Sequence, residues 1–255
     1  MPELIFLGTA AAVPDQEHEN TQLALRYDAG VVLIDCSGSP LPRLARAGID
    51  QEQVTDIILT HFHPDHVGGI PLLLMNMWLL GRKAALRIYG LHHCLERVED
   101  MMGFFHWENW PRFFPVAFHR LPEQPGVQVL EHGPVRILAS SVRHVIPTIG
   151  LRVEVGGQPV LAYSCDTEPC PAVVELARGA PTLIHEATGE GVGHSSAAQA
   201  GGIAVEAGVR QLYLIHYTIS DGVDEEALRR EAAMEFEGEV IIARDWMRID
   251  LGGAV

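Results

Sequence analysis

Three histidines and an aspartate, His61, His63, Asp65 and His66, fall within six residues of one another in the stretch Ile57-Ile58-Leu59-Thr60-His61-Phe62-His63-Pro64-Asp65-His66-Val67-Gly68-Gly69. Imidazole nitrogens joined by a carboxylate suit zinc, iron or manganese better than calcium or magnesium, which prefer oxygen shells. Ligands this close in sequence cannot all surround one ion, so the spacing points to two. Further metal-ligand types stand at the ends of apolar runs: His144 after residues 137–142, Asp166 after 160–165 and His216 after 212–215. Singly, each is the kind of polar residue that often serves structure alone. Their recurrence at the same place, the end of a strand on one edge of a sandwich, argues for a common site.

The elements that must position these residues follow from the apolar pattern. A buried strand over 54–60 delivers the first motif, and an apolar run over 70–80 predicts a buried helix beyond it. Ahead of it the pattern predicts strands at 4–7, 21–27 and 31–35, with a turn at Asp28-Ala29-Gly30 and a short helix over 42–47 stopped by Gly48. A strand at 86–89 precedes residues 104–118, which hold seven of the chain's 17 aromatic residues and are broken by Pro111 and Pro115. That concentration reads as packing beneath a loop or a dimer contact, with a wall of the substrate pocket as the alternative. Strands at 127–130, 135–142, 149–155 and 159–163 come next. Helices at 171–178 and 195–207 then alternate with strands at 182–184 and 211–215. Two β-rich halves, each ending in strand-helix alternation, imply an α/β fold in which two mixed sheets stack face to face with helices outside, as a single domain over residues 1–255.

The bulk properties bound the partners. Thirty-three acidic residues against 18 basic ones give a net charge of −15, and Lys83 is the sole lysine. Such a surface repels phosphate backbones on average. Cys36, Cys94, Cys165 and Cys170 lack paired zinc-finger spacing and read as reduced thiols, which implies a cytoplasmic protein. No secretion signal or membrane-length apolar run is present. Cys165 reads as a small buried strand residue, and Asp35, at the end of its own strand, as a support for one of the ligands.

The signature His61-x-His63-x-Asp65-His66 with its trailing Gly68-Gly69, followed in order by His144, Asp166 in Cys-Asp-Thr and His216, resembles that of the metallo-β-lactamase-fold hydrolases. The resemblance covers nearly the whole chain. It implies a four-layer αββα sandwich in which His61, His63 and His144 hold one metal, Asp65, His66 and His216 hold the second, and Asp166 bridges the two. Two zinc ions are implied, with manganese or iron as alternatives. Within this family the likeness is to the ribonuclease Z branch and its related phosphodiesterases and arylsulfatase-like hydrolases. It is carried by Gly8-Thr9 to Pro14, by His185-Glu186-Ala187-Thr188 and by Gly193-His194-Ser195-Ser196. The branch implies that His194 works near the reacting phosphate with Glu186 as its orienting neighbour, and that Asp65 orients the nucleophile, a hydroxide shared between the ions. The reading for His185 is a structural histidine bonded to nearby backbone.

Two departures bear on the substrate. Only 21 residues separate His144 from Asp166, enough for two strands and a turn, so the arm with which many ribonuclease Z enzymes grip tRNA is missing from its usual place. The first loop carries Glu19-Asn20 where the branch has a basic residue before the asparagine. With the net charge, these features favour a phosphodiesterase or related ester hydrolase for a small or medium substrate, acting as a homodimer. The alternative is a tRNA 3′-end processing endonuclease with a short or absent arm. Thioester and lactam hydrolases of the same fold are less favoured because the 185–196 motifs are not theirs. A binding protein without turnover has no reason to keep a complete ligand set.

Overall fold

Strand β1 (Glu3–Gly8) is apolar on both faces: Leu4 and Phe6 enter a core shared with the other half of the chain, while Ile5 and Leu7 enter a second core beneath helices. A strand covered on both sides has no wet face, which explains unbroken apolar runs where a one-sided sheet would alternate. The computed structural model describes residues 1–219 and 224–252.

The first half continues through β2 (Gln22–Tyr27), β3 (Gly30–Ile34), α1 (Pro40–Arg46), β4 (Val54–Ile58), α2 (Pro64–Val67), α3 (Ile70–Leu79), β5 (Leu86–Leu91), α4 (His92–Phe104) and β6 (Val116–Leu121). The second comprises β7 (Val127–His132), β8 (Val135–Val142), β9 (Thr148–Val155), β10 (Gln158–Tyr163), α5 (Pro171–Ala177), β11 (Thr182–Glu186), α6 (Ala197–Ala207), β12 (Gln211–Ile215), α7 (Glu225–Ala233), β13 (Glu239–Ile242) and β14 (Arg248–Asp250). One seven-stranded sheet has the order β14-β1-β2-β3-β4-β5-β6 and the other β13-β12-β11-β10-β9-β8-β7. Each is antiparallel on one side and parallel on the other, the change falling at β3 and at β10. Parallel neighbours need crossovers, and the crossover helices cover the outer faces.

The resulting layers are those expected, helix, sheet, sheet, helix. One core lies between the sheets, a second under α1, α3 and α4, and a third under α5, α6 and the end of α7. Helix α4 was not expected from the sequence, although Cys94, Leu95, Val98 and Met102 form its buried stripe. Strands β13 and β14 are likewise without a pattern in the sequence. They are four and three residues long and are defined by pairing rather than by local pattern; β14 crosses from the second half to pair with β1.

Five of the seven aromatic residues of 104–118 settle as packing, while Phe104 and Phe105 stay exposed. Phe114 is buried, and Trp107, Trp110, Phe113 and Phe118 lie against the core under α3 and α4. Trp78 stacks on Trp110 at 4.9 Å and donates its indole N–H to the Pro111 carbonyl. Between His144 and Asp166 the chain is a tight hairpin, β9 and β10 joined through Gly156 and Gly157 with φ of 60° and 79°. A two-residue turn with both residues left-handed selects glycine and leaves no room for an arm. Among the described residues, no helix is long and apolar enough to cross a membrane.

Candidate metal centre

The site is built at strand ends. Asp35 follows β3, the 61–66 motif follows β4, His144 follows β8, Asp166 follows β10, Glu186 ends β11 and His216 follows β12. Parallel pairing in register brings these ends to one edge, where ligands of such sheets collect. Three residues here turn out of their strands in the left-handed region, Asp35 at φ 63°, Cys165 at 54° and His216 at 52°. Each such turn costs about 1–3 kcal/mol and persists where surroundings hold it. Asp35 N–H donates to Ile58 O and His216 N–H to Thr9 O, both at 2.8 Å.

The first motif and its distant partners converge as two groups. His63 Nδ1 lies 3.0 Å from His61 Nε2 and 3.2 Å from His144 Nε2, with Asp166 Oδ2 3.8 Å from His61 Nε2. On the other side Asp65 Oδ2 lies 3.5 Å from the Nε2 atoms of both His66 and His216. Asp166 Oδ2 stands between the groups, 3.5 Å from His66 Nε2 and 3.4 Å from His216 Nε2. Within each group the ligand atoms lie within 4.8 Å of one another.

Hydrogen bonding fixes which nitrogens face inward. His66 Nδ1 donates to Asp35 Oδ2 at 2.7 Å, and the Thr60 hydroxyl donates to the same carboxylate at 2.8 Å. With its proton committed there, Thr60 Oγ1 accepts from His61 Nδ1 at 3.1 Å. His144 Nδ1 donates to Gly193 O at 2.7 Å. Thr188 Oγ1 donates to His216 O at 2.7 Å and accepts from His216 Nδ1 at 2.8 Å. Each bond puts the proton on Nδ1 and turns a bare Nε2 inward. His66 Nε2, His216 Nε2 and Asp166 Oδ1 are buried without a hydrogen-bond partner. Converging lone pairs in a dry site are costly unless a cation takes them, so the residues fit a nitrogen- and oxygen-bound divalent metal.

The charges agree. Burial, then the neighbouring His66, hold His61 well below the usual imidazole range, and burial with His144 lowers His63. Burial likewise lowers His144. Burial works against both His66 and Asp166 carrying charge, yet Asp166 and Asp35 raise His66 well above its ordinary value, while His216 and His66 hold Asp166 well below its own. The two carboxylates thus favour positive charge at His66, the side of the cluster that faces Asp166.

Cys165 Sγ is 3.6 Å from His61 Nδ1, but burial raises its thiol well above the usual range, so it is a neutral core residue. All four cysteines are free and buried. His185 is buried and bonds through Nδ1 to the Glu186 carbonyl at 2.8 Å, outside the cluster, as expected.

His194 stands over the cluster, its ring 5.0 Å from His144 and 5.9 Å from His216. Glu186 Oε1 accepts from His194 Nδ1 at 3.0 Å, and that bond, against burial, raises the imidazole above its ordinary value. Ser196 caps α6 through a capping box with Gln199, and Ser195 Oγ donates to Thr167 O. A cavity of about 400 Å³ opens on the cluster, lined by Ala11, Ala12, Val13, His63, Asp65, Asp166, Thr188, His194, His216, Thr218 and Ile219. None of residues 104–118 lines it, which removes the pocket-wall reading of the aromatic stretch.

Several supports were not read from sequence. Thr60 and Thr188 adjoin recognised motifs, so proximity was a usable signal. Asp245 had none: it accepts from Thr9 Oγ1 at 2.8 Å and Glu19 N–H at 3.0 Å, and pairs with Arg43, pinning the first loop whose residues 11–13 wall the cavity. Arg43 and Arg46 also clasp Trp246, at 4.4 and 4.3 Å from its ring centre.

Residues 31–217 match the family model described as Beta-lactamase superfamily domain. The chain belongs to this superfamily. Within it, a curated ribonuclease Z from Methanothermobacter thermautotrophicus is 30% identical, the match covering 98% of this chain and 97% of that protein. A ribonuclease Z from Mycobacterium avium is 31% identical over 98% and 99% of the two chains. Among solved structures, the metallo-beta-lactamase fold protein YhfI from Bacillus subtilis superposes with a TM-score of 0.83 at 23% identity, covering 97% of this chain and 98% of that one. The short form of human tRNase Z gives 0.77 at 23% identity, over 98% and 99%. This superfamily member therefore falls in the ribonuclease Z branch of the metallo-β-lactamase-fold hydrolases.

Proposed function

We propose that the chain is a metal-dependent phosphodiester hydrolase of the ribonuclease Z kind, with the 3′ end of precursor tRNA as its leading substrate. The observation that carries the chemistry is the inward set of bare Nε2 atoms with His194 and Glu186 above it. His61, His63 and His144 would hold one ion and Asp65, His66 and His216 the second, with Asp166 between them and zinc ahead of manganese or iron. Such ions supply Lewis acidity, lowering the pKa of a water and offsetting charge on the phosphoryl oxygens. The protein's own residues do the rest. Asp65 reaches the cavity and orients the attacking group. Glu186 holds His194 through Nδ1, so that Nε2 presents a proton to the leaving oxygen or offsets its developing charge. Ala11, Ala12, Val13 and Ile219 narrow the approach and limit water.

The sequence favours a small or medium ester, and the comparisons reverse that order. Full-length relatives named ribonuclease Z support RNA, despite the net charge. The small-substrate reading keeps specific support: among the described residues no lysine or arginine lines the cavity, and a tight hairpin stands where an arm would be. The zinc-loaded protein incubated with precursor tRNA and with bis(p-nitrophenyl) phosphate separates them. Endonucleolytic release of the 3′ trailer supports the first reading. Turnover of the nitrophenyl ester alone moves the assignment to the second, and turnover of neither sinks both. We also propose that the chain is one domain and pairs as a homodimer, supported by exposed Leu72, Leu79, Leu80, Phe104 and Phe105 on the α3–α4 side.

A further inference from the structure

The amides on either side of His194 are each held by a glutamate. Ser195 N–H donates to Glu186 Oε1 at 3.0 Å, and Gly193 N–H donates to Glu168 Oε1 at 2.9 Å. Glu186 is already placed beside His194. Glu168 has no assigned part, and as an ion pair alone it has little to do: Arg143 lies 4.0 Å from its other oxygen, and both side chains are partly in solvent. Its bond to Gly193 is another matter, because Gly193 is the residue whose carbonyl takes the Nδ1 proton of His144 at 2.7 Å. One glycine thus joins the Glu168 carboxylate, through its N–H, to a candidate metal ligand, through its C=O. Gly193 has φ +82°, and a Cβ there would stand 2.8 Å from His144 Nδ1, so loop and ring are in close contact. The backbone of Glu168 closes the circuit: its N–H donates to Arg143 O at 2.7 Å in an isolated antiparallel bridge beside His144.

We infer that Glu168 is a positioning residue that fixes the Gly193 peptide, and through it sets the ring of His144 and the height of His194 over the centre. A carboxylate accepting a backbone N–H is the stronger kind of hydrogen bond, and it is aimed at the segment that carries the proposed acid. The inference rests on the proposed hydrolase reading for its kinetic consequence, and on geometry alone for the bond.

Three variants and one direct measurement test it. Glu168→Gln keeps an oxygen facing Gly193 N–H, Glu168→Ala removes it, and Arg143→Ala removes only the ion pair. With zinc-loaded protein and bis(p-nitrophenyl) phosphate, Glu168→Ala should lower kcat by about 10- to 100-fold with KM changed less than about threefold, the size expected of a displaced catalytic group. Glu168→Gln and Arg143→Ala should stay within about threefold of the unaltered chain in both constants, since each keeps the acceptor. Equal loss in Glu168→Gln and Glu168→Ala, or no loss in Glu168→Ala, overturns the inference. Amide hydrogen exchange at Gly193 needs no turnover, and its reading in the unaltered chain needs no variant. Protection in the unaltered chain that falls in Glu168→Ala supports the bond, and rapid exchange in the unaltered chain overturns it. Absence of turnover by the unaltered protein would count against the hydrolase reading, while the exchange result would still decide the bond.

Discussion

Glu186 and His194, eight residues apart, meet through Oε1 and Nδ1 at 3.0 Å, and the same carboxylate oxygen also takes the amides of Thr167 and Ser195. The carboxylate is thus fixed from several sides before it holds the imidazole, which leaves His194 Nε2 as the free end of the dyad. Although its ligand atom lies within 4.8 Å of those of Asp166 and His216, a histidine so tied to a carboxylate is placed to move a proton. Replacing it with alanine should lower kcat by about 10²–10⁴-fold, the range for a general acid or base. Metal content, measured by atomic emission on the same preparation, should be unchanged. Loss of bound metal together with activity would make His194 a ligand instead.

The dyad also sets a pH dependence. Its bond to Glu186, opposed by burial, raises His194 above the ordinary 6.5. A proton donor is active while protonated, so activity persists above pH 6.5 and is lost as pH rises through the raised value. Glu186→Gln removes the carboxylate charge, and the alkaline limb of kcat/KM should then move to lower pH. An alkaline limb that stays in place would show that another group titrates.

The site's residues differ in how plainly the sequence marks them, for physical reasons. The motif at 61–66 was legible because its ligands are local, and His144, Asp166 and His216 could be added because strand ends are visible as the ends of apolar runs. The sandwich followed from the same runs, since strands buried on both faces leave continuous hydrophobic stretches. Glu168 and Asp245 left no such mark. Their partners, Gly193 and Thr9, are 25 and 236 residues away, and an acidic residue in a loop looks alike whether it faces water or a distant amide. Helix α4 was missed because its stripe is narrow within a charged segment, and β14 because three residues carry no period.

Asp35 offers a test of the metal assignment away from the ligands. It accepts from His66 Nδ1 at 2.7 Å and from the backbone and hydroxyl of Thr60, so it orients one candidate ligand directly and His61 through Thr60. Asp35→Ala should weaken metal binding by about 10- to 100-fold, as removal of such outer partners does. Competition with a zinc chelator gives the affinity. Unchanged affinity would argue that His66 binds no metal.

Metal and proton compete for the same atoms. Burial disfavours a charged His66, but Asp166 and Asp35 raise its proton affinity above the ordinary imidazole value, so a cation binding at its Nε2 competes with a proton there. Apparent metal affinity should therefore rise with pH in this range, with proton release on binding visible in weakly buffered titrations. Chelation should abolish hydrolysis, and zinc, manganese or iron should restore it to differing extents. Activity that survives full removal of metal would overturn the assignment.

The apolar side of α3 and α4 tests the homodimer. Phe104 is 84% exposed and Phe105 55%, and a hollow of about 370 Å³ beside them is lined by Pro71, Leu72, Met75, Met101, Phe105 and Trp110. Leu79 and Leu80, also exposed, end the neighbouring helix. Clustered apolar side chains of this size are uncommon on a monomer and gain when covered, about 25 cal/mol for each Å² removed from water. Two copies meeting there would hide the patch symmetrically, so Phe105→Glu places two like charges in a dry interface at once. Sedimentation should show a dimer for the unaltered chain and a shift toward monomer for Phe105→Glu, with the melting temperature little changed because the side chain is exposed in one copy. A monomer at all concentrations for the unaltered chain would remove the homodimer and leave the patch for another partner.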